Sequence, residues 1–245
     1  MTVAAVGSSR SAPARMPRVN PAVRWLSRLG YSVLRPYLRR RLGRTVVEHV
    51  DGVPLIVLPQ VFNPGIFRSG RLLVQALATI PLPAGPGSQA PRALDMGTGS
   101  GIGAVFAARL GYRVTAVDIN PEAVRCARIN ALQHHLEEQI EVRLGDLFDP
   151  VRSDRFDVVL FNPPFFRGQP RSALDAAWRS VDVPERFVAG LPAALPPAGV
   201  ALLVLSTDGV QDAWLRAFSQ SPLQVDVVAR QHFGNEIMCV YGLRR

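Results

Sequence analysis

Residues 93–103 read Ala93-Leu94-Asp95-Met96-Gly97-Thr98-Gly99-Ser100-Gly101-Ile102-Gly103. Four glycines at every second position follow an acidic residue, which itself ends a short apolar run. That order suits a strand that stops, turns tightly and feeds a helix. Glycine takes positive φ without steric cost and lets a ligand lie against bare backbone. Amide N–H groups at the start of the following helix favour an anionic or strongly polar ligand. Alone, the stretch predicts a seat for a nucleotide-like cofactor and leaves open which one.

Working outward, short apolar runs alternate with helical patterns. Strands are predicted over Ala93–Met96, Arg113–Ile119, Ile140–Leu144, Phe156–Phe161, Val200–Ser206, Gln224–His232 and Glu236–Leu243. Helices are predicted over Gly101–Leu110, Pro121–His134, roughly Ser172–Leu195 with breaks at Pro184 and Pro192, and Val210–Ser219. Such alternation implies a doubly wound, mostly parallel sheet with helices on both faces. Phe233-Gly234-Asn235 is too short for a helix, so the last two strands form an antiparallel hairpin at the sheet edge. Upstream, Asp51-Gly52 between two β-rich runs signals a two-residue hairpin, and Pro54 marks its second strand as an edge or as starting after the proline. A helix follows over about Ser69–Thr79, then a Pro/Gly-rich linker from Pro81 to Pro91.

The charge is concentrated at one end. All 28 basic residues are arginines; ten of them, but only one of the 19 acids, lie in residues 1–50, so that segment carries the whole net charge of +9. Residues 1–19 read as a disordered basic tail. Asn20-Pro21 then opens an amphipathic basic helix, with a break near Pro36. A basic arm suits nucleic acid phosphates, an anionic membrane surface or an acidic partner. No apolar run approaches the ~20 residues of a transmembrane span. Cys126 and Cys239 are too few for a disulfide framework, which points to reduced thiols and a cytoplasmic protein. Neither the cysteines nor the four histidines have metal-ligand spacing.

Parallel strands present their carboxyl ends to one crevice, where ligands bind. Asp95, Asp118, Asp146 and Asn162 stand at such ends. Asp118 lies about 20 residues past the glycine turn, where an acid holds ribose hydroxyls. Asn120 takes the cap of the next helix by position, which leaves Asp118 free for that contact. Asp146 can accept from an adenine amino group or serve as a turn residue. A dinucleotide-dependent oxidoreductase fits the turn, since Gly99-Ser100-Gly101-Ile102-Gly103-Ala104 matches G-x-G-x-x-A. The fourth strand argues otherwise: it ends in Asn162-Pro163-Pro164-Phe165. Two prolines fix the backbone and remove two N–H donors, so the neighbouring carbonyls are left as acceptors. Asn162 adds an amide oxygen and Phe165 a flat apolar face. Such a site accepts from a planar –NH₂ and stacks on the group that carries it.

Asp95-Met96-Gly97-Thr98-Gly99-Ser100-Gly101, Asp118-Ile119-Asn120-Pro121, Gly145-Asp146-Leu147-Phe148 and Asn162-Pro163-Pro164-Phe165 resemble the ordered motifs of S-adenosyl-L-methionine-dependent methyltransferases with the Rossmann-like fold. The last motif resembles the amino- and amide-methylating branch: protein glutamine, adenine-N6 and small-domain ribosomal RNA guanine-N2 methyltransferases. The glutamine and adenine enzymes often carry Tyr where this chain has Phe165. The resemblance covers about residues 60–245 and implies a seven-stranded methyltransferase domain over 59–245, preceded by a helix and hairpin extension over 20–58. It implies that Asp95, Gly97, Thr98, Gly99 and Gly101 line the methionine end and ribose. Asp118 would hold the ribose hydroxyls, Ile119 and Leu147 flank the adenine, and Asp146 accept from its amino group. Asn162 and the Pro163 carbonyl would orient the acceptor nitrogen, Pro164 would stiffen the loop and Phe165 would stack on the acceptor plane. No metal is implied. The acceptor is a protein or nucleic acid group, with the basic arm favouring RNA; a small molecule stays open.

Overall fold

The computed structural model describes residues 43–82, 89–171, 175, 177–209, 211–234 and 236–245. The expected tail, the basic helix from Asn20, the middle of the linker and Asn235 lie outside the described residues. The described residues begin with the hairpin of β1 (Val46–Val50) and β2 (Val53–Val57), joined antiparallel. Asp51 and Gly52 have φ of +47° and +81°, the pair of left-handed residues that a type I′ turn requires. Pro54 sits within β2, opposite His49, in a sheet of two strands where both are edges.

Helix α1 (Ser69–Leu77) leads to the central sheet. Its strands are β3 (Arg92–Met96), β4 (Arg113–Asp118), β5 (Ile140–Leu144), β6 (Val158–Phe161), β9 (Val200–Ser206), β10 (Gln224–His232) and β11 (Ile237–Arg244). The order across the sheet is β10-β11-β9-β6-β3-β4-β5. The strands from β9 to β5 run parallel; β11 is antiparallel to both β9 and β10. The central strands β6 and β9 are buried at every residue, as their unbroken apolar sequences require of strands covered on both faces. Helix α2 (Ile102–Arg109), helix α3 (Pro121–Gln133) and α1 contribute to one core; α4 (Val183–Ala194) and α5 (Gln211–Ser219) pack Phe187, Leu191, Trp214 and Phe218 into the other.

One expectation needs correction. Among the described residues, the long helix read over 172–195 is interrupted at Arg179–Ser180, and its last part is α4. Pro184 falls in its first turn, where proline costs no hydrogen bond, and Pro192 lies in its last turn rather than breaking it. Before α4, β7 (Phe166–Arg167) pairs in parallel with β8 (Arg179–Ser180) as a small flap. Arg167 meets Glu185 at 3.0 Å, and Gly168 N donates to Ser180 O at 2.9 Å.

Candidate functional site

The sheet turns from β3 toward β4 on one side and toward β6 on the other, so a crevice opens at the carboxyl ends of these strands. The glycine turn leaves β3 there. Gly97, Gly99 and Gly101 all have positive φ, and Gly101 precedes α2 directly. A Cβ on Gly101 would come within 3.1 Å of the Ala127 backbone, so the turn packs against α3 only without a side chain.

Asp95 is buried under this turn. One carboxylate oxygen accepts from Thr98 Oγ1 at 2.5 Å and from Ala104 N at 2.8 Å, which ties the strand end to the start of α2. Burial, the largest influence, raises its pKa from 3.8 to about 7 despite both hydrogen bonds, and the nearby Asp118 adds to the rise. Asp118 closes β4 and is not free, contrary to the sequence reading. Its Oδ2 accepts from Gly99 N and its Oδ1 from Asn120 N, each at 2.9 Å. Each oxygen keeps a second lone pair. Burial pushes this carboxyl up too. Asn120 caps α3 as expected, accepting from Glu122 N, and its amide also donates to Gln60 O.

Asp146 follows β5 and lines the same cleft. Its Oδ2 accepts from Arg186 Nη2 at 2.7 Å. Leu147 has φ of +47°, an uncommon conformation for a branched residue, and Ile119 stands 56% exposed on the cleft wall. Across the crevice β6 ends in Asn162-Pro163-Pro164-Phe165, all four lining the cleft. The Asn162 Oδ1 is buried and has no hydrogen-bond partner among the described residues. A buried acceptor left unpaired costs on the order of 1–3 kcal/mol, and the residue that carries it lines the cleft. The turn after β9 supports this loop closely: a Cβ on Gly209 would lie 2.9 Å from Phe165 O.

The crevice thus gathers all but one of the site residues named from the sequence: Asp95, Gly97, Thr98, Gly99, Asp118, Ile119, Asp146, Leu147 and 162–165 line it. Gly101 does not line it and packs against Ala127 instead. Other lining residues escaped the sequence reading. Phe62, from the loop after β2, packs with Phe67 and Trp178 at centroid distances of 4.5–5.0 Å, and Phe62 and Trp178 face the cleft. Trp178 lay in the stretch read as helix, where an aromatic residue passes for core.

Comparison with known proteins agrees with this geometry. The methyltransferase small domain family matches residues 53–231, most of the chain. The chain belongs to that family. It is 34% identical over 161 residues to the ribosomal RNA small subunit methyltransferase C of Alcanivorax borkumensis, covering 63% of this chain and 45% of that protein. It is 34% identical over 122 residues to the ribosomal protein uL3 glutamine methyltransferase of Bradyrhizobium diazoefficiens, covering 44% and 38%. The chain spans about half or less of the length of these relatives. Among solved structures, a T. thermophilus 16S rRNA N2 methyltransferase in complex with AdoMet and guanosine superposes with a TM-score of 0.61 at 24% identity, over 82% of this chain and 50% of that one. The small-domain methyltransferase fold is therefore the frame of the site.

Proposed function

We propose that this small-domain methyltransferase is an S-adenosyl-L-methionine-dependent enzyme that methylates a planar amide or amino nitrogen in the cytoplasm. The observation that carries the reading is the unpaired, buried Oδ1 of Asn162, set in the same cleft as the glycine turn. The residues present fit the cofactor: the turn offers backbone without side chains, two carboxylates flank it, and Ile119 and Leu147 supply apolar walls.

When bound, S-adenosyl-L-methionine supplies a methyl group already activated on sulfonium sulfur. The chain's part is then mostly placement, and well-oriented reactants gain several orders of magnitude in rate. Asp95, Gly97, Thr98, Gly99 and Gly101 shape the seat for the methionine and ribose portions. Asp118 keeps one lone pair on each oxygen for the ribose hydroxyls. Asp146 accepts from the adenine amino group. Asn162 Oδ1 and the Pro163 carbonyl accept from the substrate –NH₂, and Pro164 fixes the loop. These acceptors orient the nitrogen and stabilise positive charge as it develops there. Phe165 stacks on the acceptor plane. We assign the catalytic unit to residues 59–245 and read 20–58 as its extension.

Two features favour RNA or a ribosomal component as acceptor. The net charge of +9 resides in the first 50 residues, and the relatives act on ribosomal RNA and ribosomal protein by name.

Asn162→Ala should bind S-adenosylhomocysteine as the wild type does, yet lose about 100-fold or more of tritiated methyl transfer into fractionated lysate. Full activity in this variant would sink the assignment. Nuclease and protease treatment of the labelled product identifies the acceptor class.

A further inference from the structure

Asp146 approaches the cleft from one side and is gripped from the other. Asp146 lines the cleft, whereas Arg186, in the first turn of α4, does not. Arg186 lies instead in a shallow outer groove with Phe148 and Gly190. From there Nη2 meets Oδ2 at 2.7 Å, and Nη1 stands 3.7 Å from Asp182 at the head of the same helix. Asp146 Oδ1 accepts no hydrogen bond among the described residues.

One turn further along α4, Gly190 makes room for the Phe148 ring: a Cβ there would lie 2.6 Å from it. Phe148 also stacks on Phe187 at 5.4 Å. The segment 146–148, with Leu147 at positive φ, is thus clamped to α4 at both ends. The Arg186–Asp146 pair has side chains 41% and 35% exposed, and pairs so exposed contribute little to folding stability. Its geometry has another use.

We propose that Arg186 is a positioning residue for cofactor recognition. It holds Asp146 by Oδ2 from behind, so that Oδ1 is presented to the cleft as a fixed, charged acceptor for an exocyclic amino group. A planar guanidinium that bridges two carboxylates fixes direction as well as charge. The proposal rests on the adenine role of Asp146 given above.

The test is calorimetric binding of S-adenosylhomocysteine and of its analogue in which hydrogen replaces the 6-amino group. The wild type should prefer the amino ligand by about tenfold or more, as expected for a hydrogen bond to a charged acceptor. Arg186→Ala and Arg186→Gln should lower that preference to about threefold or less, with analogue affinity and unfolding temperature unchanged; Arg186→Lys should keep part of it. Asp146→Ala should abolish it. A wild-type preference in Arg186→Ala, alongside its loss in Asp146→Ala, would overturn the proposal and leave the adenine role standing. Tighter binding of S-adenosylhomocysteine by Arg186→Ala would also overturn it, by showing that the arginine competes for the carboxylate. An unchanged preference in Asp146→Ala would overturn the adenine role of Asp146, and the proposal with it.

Discussion

Asp95 is held by Thr98 and Ala104 but has lost most of its water, so its carboxyl titrates near pH 7 instead of 3.8. The raised value means that the fold disfavours the charged form. Below pH 4 both folded and unfolded chains keep the proton and nothing is lost. Between pH 4 and 7 the unfolded chain releases it while the native chain retains it, so stability falls as pH rises. Urea unfolding of wild type against Asp95→Asn should show this penalty growing by on the order of 2 kcal/mol between pH 5 and pH 8. Equal pH slopes for the two proteins would refute the burial argument. Gly103 belongs to the same arrangement. An alanine within a helix ordinarily gains about 0.5–1 kcal/mol over glycine. Here its Cβ would lie 2.2 Å from Asp95 Oδ1, and the carboxylate cannot retreat without leaving Thr98 and Ala104. Overpacking of this kind costs about 1–3 kcal/mol, so Gly103→Ala should lower the midpoint of chemical denaturation. The fourth glycine of the sequence motif is thus required by the carboxylate beneath the turn.

At the scale of elements, one buried side chain on α3 ties the β1–β2 hairpin to the glycine turn. Asn130, fully buried on α3, accepts from Ile56 N at 2.8 Å and donates to Ile56 O and to Ser100 O, both at 2.7 Å. It stands in for the strand that β2 lacks on its outer edge and binds that edge to the glycine turn. Glu48 of β1 adds a second tie, accepting from Asn63 Nδ2 at 2.9 Å, while Asn63 Oδ1 accepts from Gly65 N and Ile66 N. That loop carries Phe62 to the cleft. Asn130→Ala should cost about 3 kcal/mol, because it strands backbone groups at both ends; a loss within ordinary surface values in chemical denaturation would contradict the bridging role. The hairpin turn itself was legible in Asp51-Gly52, and the alternating strands in their apolar runs, because both are local signals. The bridge was not, since Asn130 and Ile56 are 74 residues apart. The flap of β7 and β8 was hidden for a different reason: two-residue strands leave no period to read, and the prolines near α4 suggested breaks where one opens the helix and the other falls in its last turn.

For the whole molecule, the strand ends converge on one cleft, and a ligand seated there should stabilise the entire domain. At a concentration about 100 times its dissociation constant, S-adenosylhomocysteine adds about 2.7 kcal/mol, or roughly 5–10 °C in unfolding temperature for a chain of this size. NAD and NADP at equal concentration should give no shift; a shift with NAD alone would restore the oxidoreductase reading that the glycine turn admits. Residues 1–42 hold nine arginines and no acid, so the rest of the chain is neutral. If RNA is the acceptor, deleting them should flatten the dependence of RNA affinity on salt, whereas an unchanged slope would place the phosphate contacts on the body. The motif residues were legible because parallel topology brings strand ends together whatever lies between them. Asp118 shows where that logic stops: sequence position put it at the cleft but could not show both of its oxygens already engaged with backbone. The tie at Asn130 has one more consequence. The Ile56 amide proton is bonded to a side chain on α3 rather than to a partner strand. Its exchange with solvent deuterium therefore times the parting of hairpin from helix, separately from the melting of either. Because Asn130 also holds the glycine turn, that single proton is a built-in clock for the seat of the cofactor, readable in the unlabelled native state.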